Sequence, residues 1–233
     1  MALTLNGSNN TIGGLAVGGL PDGIVDTDMI AANAVTAAKA SGRHTYKKHI
    51  QVNLDTGSLT SATITGIPNN AVIIKLFFQR YSIDGNNTSS VLRLRFGAGS
   101  IDSGGNYSWG TFRTNSTADT DQAVALNAGD GNAGDSNFMS IIEPASTGHV
   151  HIFNGVVTIE RATDSGGADE GGWFTRARFT DLRNGSEQER RQYSHTGRWR
   201  NTGVINQIQI FNGGYEYDES ARVVCCYQTG DYE

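Results

Sequence analysis

The sharpest chemical spacing in the chain is His149-Val150-His151. On a strand the two imidazoles share a face, and copies gathered about an axis would offer nitrogen ligands to an octahedral metal. The same face runs on into Phe153 and Val157, so packed or hydrogen-bonded histidines are the favoured reading. We expect no metal and no other cofactor. Asp130, Asn132 and Asp135 in GDGNAGDSN evoke a calcium loop. Their order lacks the alternating ligands and closing bidentate Glu of the helix–loop–helix site, which favours a solvated loop. A third cluster is the tract from Trp173 to Arg200, carrying Arg176, Arg178, Arg183, Arg190, Arg191, Arg198 and Arg200 among Asp181, Glu187 and Glu189. Interleaved acids suggest cross-strand ion pairs, or a face that meets an acidic neighbour, ahead of a nucleic-acid site.

Aromatics beside flexible backbone form the last group. Tyr107 and Trp109 follow Gly104 and Gly105, Trp173 follows Gly171 and Gly172, and Trp199 lies in the Arg-rich tract. Such rings can stack on sugars or anchor protein interfaces, so all four are candidate receptor or interface contacts. Core packing is the more frequent fate of any one of them. No GxSxG elbow, HExxH helix motif or phosphate-cradling GxxxxGK[ST] occurs, and the expectation is a protein that is not an enzyme.

The elements that position these residues are strands. The chain has 233 residues with 30 Gly, 3 Pro, 18% charged residues and a formal charge of −5. Turn-forming Gly, Asn and Ser between β-branched and aromatic residues predict many short strands. An acidic balance argues against a nucleic-acid partner, and no apolar run is long enough for membrane insertion. The N-terminus lacks a secretory pattern. Adjacent Cys225 and Cys226 would point to opposite faces of a strand, which disfavours a bridge between them.

Strands are predicted at Ala71–Ile83, Val91–Phe96, His149–Arg161, Trp173–Phe179, Val204–Phe211 and Ala221–Tyr227. AVIIKLFF within the first reads as a more fully buried strand. In the second, Leu92, Leu94 and Phe96 point inward while Arg93 and Arg95 point outward. Asn115 to Asn137 reads as a long loop. The cadence predicts an all-β fold, an antiparallel sandwich of jelly-roll type over residues 44–233.

Residues 1–43 differ in kind. Leu3 and Leu5 alternate with polar residues as an edge strand, and Leu15, Val17 and Leu20 interrupt a glycine-rich link. Asp26, Thr27 and Asp28 then start a short helix with a narrow stripe of Ile30, Ala34, Val35 and Ala38. So short a helix is marginal without a partner, and its small residues allow close approach of identical copies. These positions are the candidate anchor and oligomerisation residues of an attachment arm.

The opening LTLNGSNNTIGGL…GGLPDGIVDTDMIAANAVTAAKAS resembles the N-terminal arms of tail-fibre-like virion proteins of tailed bacteriophages, common among phages of cyanobacteria and marine bacteria. Ala34-Val35-Thr36 and Lys39 match their "AVT…K" segment, and Ile50–Leu54 with Ser61–Pro68 resembles the first strands of the β-domain that follows. The likeness extends to about Leu76; the Arg-rich stretch falls outside it. It implies a virion structural protein, often trimeric, assembled in the host cytoplasm. Its arm would contact other virion proteins and its β-domain a host surface glycan or protein. The same residues serve an alternative, a capsid decoration, head-fibre or cement protein. A free carbohydrate-binding module or glycan hydrolase ranks last, because it leaves the arm unexplained.

Overall fold

The computed structural model describes residues 4–6, 11–13, 46–54, 59–82, 92–117, 120–129, 137–142, 152–162, 172–181, 190–212, 217 and 221–230. The chain divides into two compact units, Met1–Arg43 and His44–Glu233. In the first, β1 (Thr4–Asn6) and β2 (Thr11–Gly13) form an antiparallel pair with Leu5 opposite Ile12. Leu3, Leu15, Val17, Leu20, Ile30, Ala34, Val35 and Ala38, with the expected helix, lie outside the described residues.

The second unit is all-β among its described residues. Its strands are β3 (Lys47–Asn53), β4 (Ser61–Thr65), β5 (Ala71–Tyr81), β6 (Leu92–Gly97), β7 (Tyr107–Thr117) and β8 (Thr120–Gly129). They continue as β9 (Met139–Ile142), β10 (Phe153–Arg161), β11 (Trp173–Asp181), β12 (Arg190–Trp199), β13 (Gln207–Phe211) and β14 (Arg222–Thr229). One sheet has eight strands in the order β3-β14-β5-β10-β11-β12-β7-β8, the other four in the order β4-β13-β6-β9, and neither closes into a barrel. Every pairing is antiparallel.

Period-two patterning makes the layers. Leu92, Leu94 and Phe96 are buried, while Arg93 and Arg95 turn outward and lie over the Phe138 and Phe211 rings at 4.3 and 4.5 Å. From the large sheet come Ile74, Leu76 and Phe78 of β5, Val157 and Ile159 of β10, and Val223 of β14, all in one core with Ile208 and Ile210 of β13. Burying these apolar faces against each other is the main force holding the layers together. Cys225 is buried and Cys226 half-buried; both are free, and burial pushes the Cys225 thiol up to about 12.

AVIIKLFF is buried or half-buried at every position except Phe77, which is 40% exposed because the outer side of the large sheet carries no second layer among the described residues. One expectation is corrected: 115–137 is not one long loop, since β7 runs to Thr117 and turns into β8 with Thr117 opposite Thr120. Ala, Asn and Asp have weak strand propensity, so β8 forms by pairing along β7 rather than by its own preference.

Gly155 is the tightest point of the large sheet. It sits on β10 between Phe78 of β5 and Phe179 of β11, whose rings close over it with centroids 5.4 Å apart. A methyl group there would meet the Phe179 ring and the Arg178 carbonyl.

Candidate binding face

The four aromatics with candidate contact roles are drawn together, but inward. Tyr107, Trp173 and Trp199 are at most 1% exposed and so are corrected as contact platforms, because each turns to the inner face of its strand. Trp199 lies opposite both Trp173 and Tyr107 in the register and stacks on the Tyr107 ring at 6.4 Å, while Phe96 meets it edge-on at 5.7 Å. Trp109 is half-buried against the same core.

The polar ends of Tyr107 and Trp199 are tied to β6 and the loop between β6 and β7. Asp102 Oδ2 accepts from Trp199 Nε1 and Asn106 Nδ2, each at 2.8 Å, and Oδ1 accepts from the Gly104 N–H at 2.8 Å. Tyr107 Oη donates to the Asp102 carbonyl at 2.9 Å and accepts from the Phe96 N–H at 2.9 Å. Trp173 Nε1 donates to the Gly203 carbonyl at 2.8 Å. Partial burial acts to raise the Asp102 pKa, but the bonds from Trp199, Gly104 and Asn106 outweigh it and hold the carboxyl below 3.8. Asp102 is therefore a structural acid that fixes a buried indole. Asp102→Ala should cost about 2 kcal/mol, since it leaves a buried indole N–H unpaired. Urea denaturation at pH 7 measures this, and Asp102→Asn, which keeps an acceptor oxygen, should lose less.

A second polar cluster lies inside the core. His195 is 2% exposed; its Nδ1 and Nε2 lie 3.2 Å from the hydroxyls of Thr111 and Thr175. Thr111 Oγ1 donates to the Ser140 carbonyl at 3.2 Å, and Thr175 Oγ1 to Met139 Sδ at 2.7 Å. Burial pushes the imidazole down to about 3, against a weaker opposing pull from the Ser140 backbone. At neutral pH the ring is an uncharged packing element. No sequence signal singles it out, because β12 is dominated by arginines. His149 and His151, and with them Asp130, Asn132 and Asp135, lie outside the described residues.

What remains open to contact is the outer face of the large sheet. Residues that alternate with the core positions share it: Lys75 and Phe77 on β5, Thr158 and Glu160 on β10, Phe174, Arg176 and Arg178 on β11, and Ser194, Thr196 and Arg198 on β12. Of the expected cross-strand ion pairs, the described residues of this face show Arg176–Glu160 at 3.8 Å, whose side chains are 73% and 39% exposed. An exposed pair of that length contributes little. Arg178 has no ion pair among the described residues. Arg198 lies over the Phe174 ring at 5.7 Å, and Lys75 Nζ over the Tyr46 ring at 4.2 Å. The face thus offers cations and ring surfaces to solvent, with hydroxyls between them.

No family model, curated protein or solved structure matches the chain.

Proposed function

We propose that the chain is a structural protein of a bacteriophage virion, of the tail-fibre or fibre-like kind. Residues 1–43 anchor it to the particle and hold copies together as a trimer, and the β-sandwich is displayed to touch the host surface. The observation that carries this reading is the division into Met1–Arg43 and His44–Glu233, with the phage-like arm sequence confined mostly to the first unit.

The strand order supports a jelly-roll-like reading of the sandwich. Eight strands follow the double Greek-key order. Of the large sheet these are β3-β14-β5-β10, and of the small sheet β4-β13-β6-β9. The remaining strands are two inserted pairs, β7 with β8 between β6 and β9, and β11 with β12 between β10 and β13. Both insertions extend the large sheet beyond β10. They carry most of the open cationic face, which is where a displayed domain would acquire its own specificity.

Antibody raised against the sandwich, applied to intact particles and viewed by electron microscopy, tests the reading. Labelling of fibres with loss of adsorption is the expected result. Labelling of the capsid shell, with adsorption intact and heat resistance lost on removal, would instead establish the decoration-protein alternative.

A further inference from the structure

The geometry points to an anionic polysaccharide, bearing carboxylate or sulfate groups, as the ligand of the outer face of the eight-stranded sheet. This rests on the reading of the sandwich as the displayed part of the molecule.

Charge is the first argument. Among the side chains described on this face, Lys75, Arg176, Arg178 and Arg222 are cationic and Glu160 is acidic, in a chain whose formal charge is −5. Basic residues gathered on one face of an acidic protein create a local field that favours an anionic partner.

Arrangement is the second. One cross-strand row runs Cys226–Lys75–Thr158–Arg176–Thr196–Gly110. Strands lie about 4.8 Å apart, so Lys75 and Arg176, two strands removed, are roughly 10 Å from each other. Between them the row carries only the short Thr158, and beyond Arg176 only Thr196 and Gly110. The rows on either side carry the larger Phe77 and Phe112, and Phe174, exposed by 40, 39 and 42%. A linear polyanion laid along the row meets spaced cations, hydroxyl groups that can bond to sugar oxygens, and flanking rings that can pack on sugar C–H faces.

The same facts disfavour other occupants. Phe77 has Val224 and Val156 beside it, but Arg178 and Ser194 separate this small cluster from Phe112, and Phe174 lies on the far side of the Lys75–Arg176 row; the described residues form no large contiguous apolar centre of the kind a stable protein interface has. A second copy placed face to face would set arginines against arginines. Duplex nucleic acid would share the charge preference but not the use of sugar-stacking rings.

The test uses the purified full chain with polygalacturonate, dextran sulfate, neutral dextran and duplex DNA as probes, read by calorimetry or biolayer interferometry. Binding to one or both polyanionic sugars is expected, weakening as salt screens the charges, and neutral dextran should not bind. Preference between the two polyanions identifies carboxylate or sulfate as the group recognised. The double variant Arg176→Gln/Arg178→Gln should lower affinity roughly tenfold or more, with thermal melting unchanged because both side chains are exposed. Arg95→Gln, on the outer side of the small sheet, should change it less than about twofold. Phe77→Ala should weaken binding without changing its salt dependence.

Absent binding to both polyanions, equal or tighter binding to DNA, or affinity unaffected by the double variant would each overturn the assignment. These outcomes are separable from failure of the virion reading. A protein absent from particles could still bind the polysaccharide, and one on fibres could fail to bind it.

Discussion

Gly155→Ala should destabilise the sandwich by about 3 kcal/mol or more, at the upper end of what overpacking costs. For a domain of this size that corresponds to a fall in melting temperature of roughly 10 °C. Backbone strain is not the cause, since Gly155 is not among the glycines with positive φ. The cause is space. The added methyl meets the Phe179 ring and the Arg178 carbonyl on the neighbouring strand, so either the ring leaves its partner Phe78 or β10 and β11 move apart. Gly110→Ala on the same sheet is the control, because nothing lies within 4 Å of the point its methyl would occupy. That variant should stay within about 0.5 kcal/mol of the parent. Phe179→Leu should recover part of the loss in the Gly155→Ala background, though it costs stability alone. Additive losses in the double variant would show that the ring contact is not the source.

The second large effect is a loss of stability in mild acid through His195. The imidazole is held neutral at about 3 in the fold, against 6.5 when unfolded. Between those values the unfolded chain binds the extra proton, so stability is fully present above pH 6.5 and falls as pH drops toward 3. Each pH unit costs up to about 1.4 kcal/mol, or about 3 kcal/mol by pH 4. Thr111, Thr175, Met139, Ser140 and Gly197 surround the ring, and none of them ionises. With the Thr111 hydroxyl donating to the Ser140 carbonyl, Nδ1–H of the neutral ring donates to Thr111 Oγ1, and the single proton of Thr175 serves either Met139 Sδ or Nε2. Denaturation measured at pH 7, 5.5 and 4.5 should show this slope in the parent chain. His195→Gln, which keeps hydrogen-bonding capacity without titrating, should remove most of it. Asp102 separates cleanly from His195 in such a series, because its depressed carboxyl contributes stability that is lost only below about 3.8. Equal slopes in parent and variant would assign the acid sensitivity to other groups.

Much of the sandwich is legible in the residues because one-sided burial writes itself as alternation. Leu92-Arg93-Leu94-Arg95-Phe96 predicts both faces of β6 correctly, and Phe153, Val157 and Ile159 define the inner face of β10. Three things resist such reading. β8 has the composition of a loop and becomes a strand only by pairing with β7. β9 is four residues long and buried throughout, so it shows no alternation. β12 presents Arg190, Arg191 and Arg198 together with a core histidine and two core aromatics, and the arginines mask the inward Tyr193, His195 and Trp199.

The candidate contacts divide for a related reason. An aromatic beside glycines in sequence says nothing about which face of its strand it occupies. Tyr107, Trp173 and Trp199 fall on core positions of the register, whereas Phe77, Phe112 and Phe174 fall on the open ones. The cationic face is similarly hidden in the sequence, because Lys75 and Arg176 are about a hundred positions apart and meet only through β10.

The proposed function depends most on a division of labour between an arm that gathers copies and a sandwich that stands alone. Analytical ultracentrifugation of the full chain, beside a chain of residues 44–233, tests it most directly. A trimer for the full chain and a folded monomer for 44–233 are the predicted masses. A full chain that sediments as a monomer at micromolar concentration would contradict it.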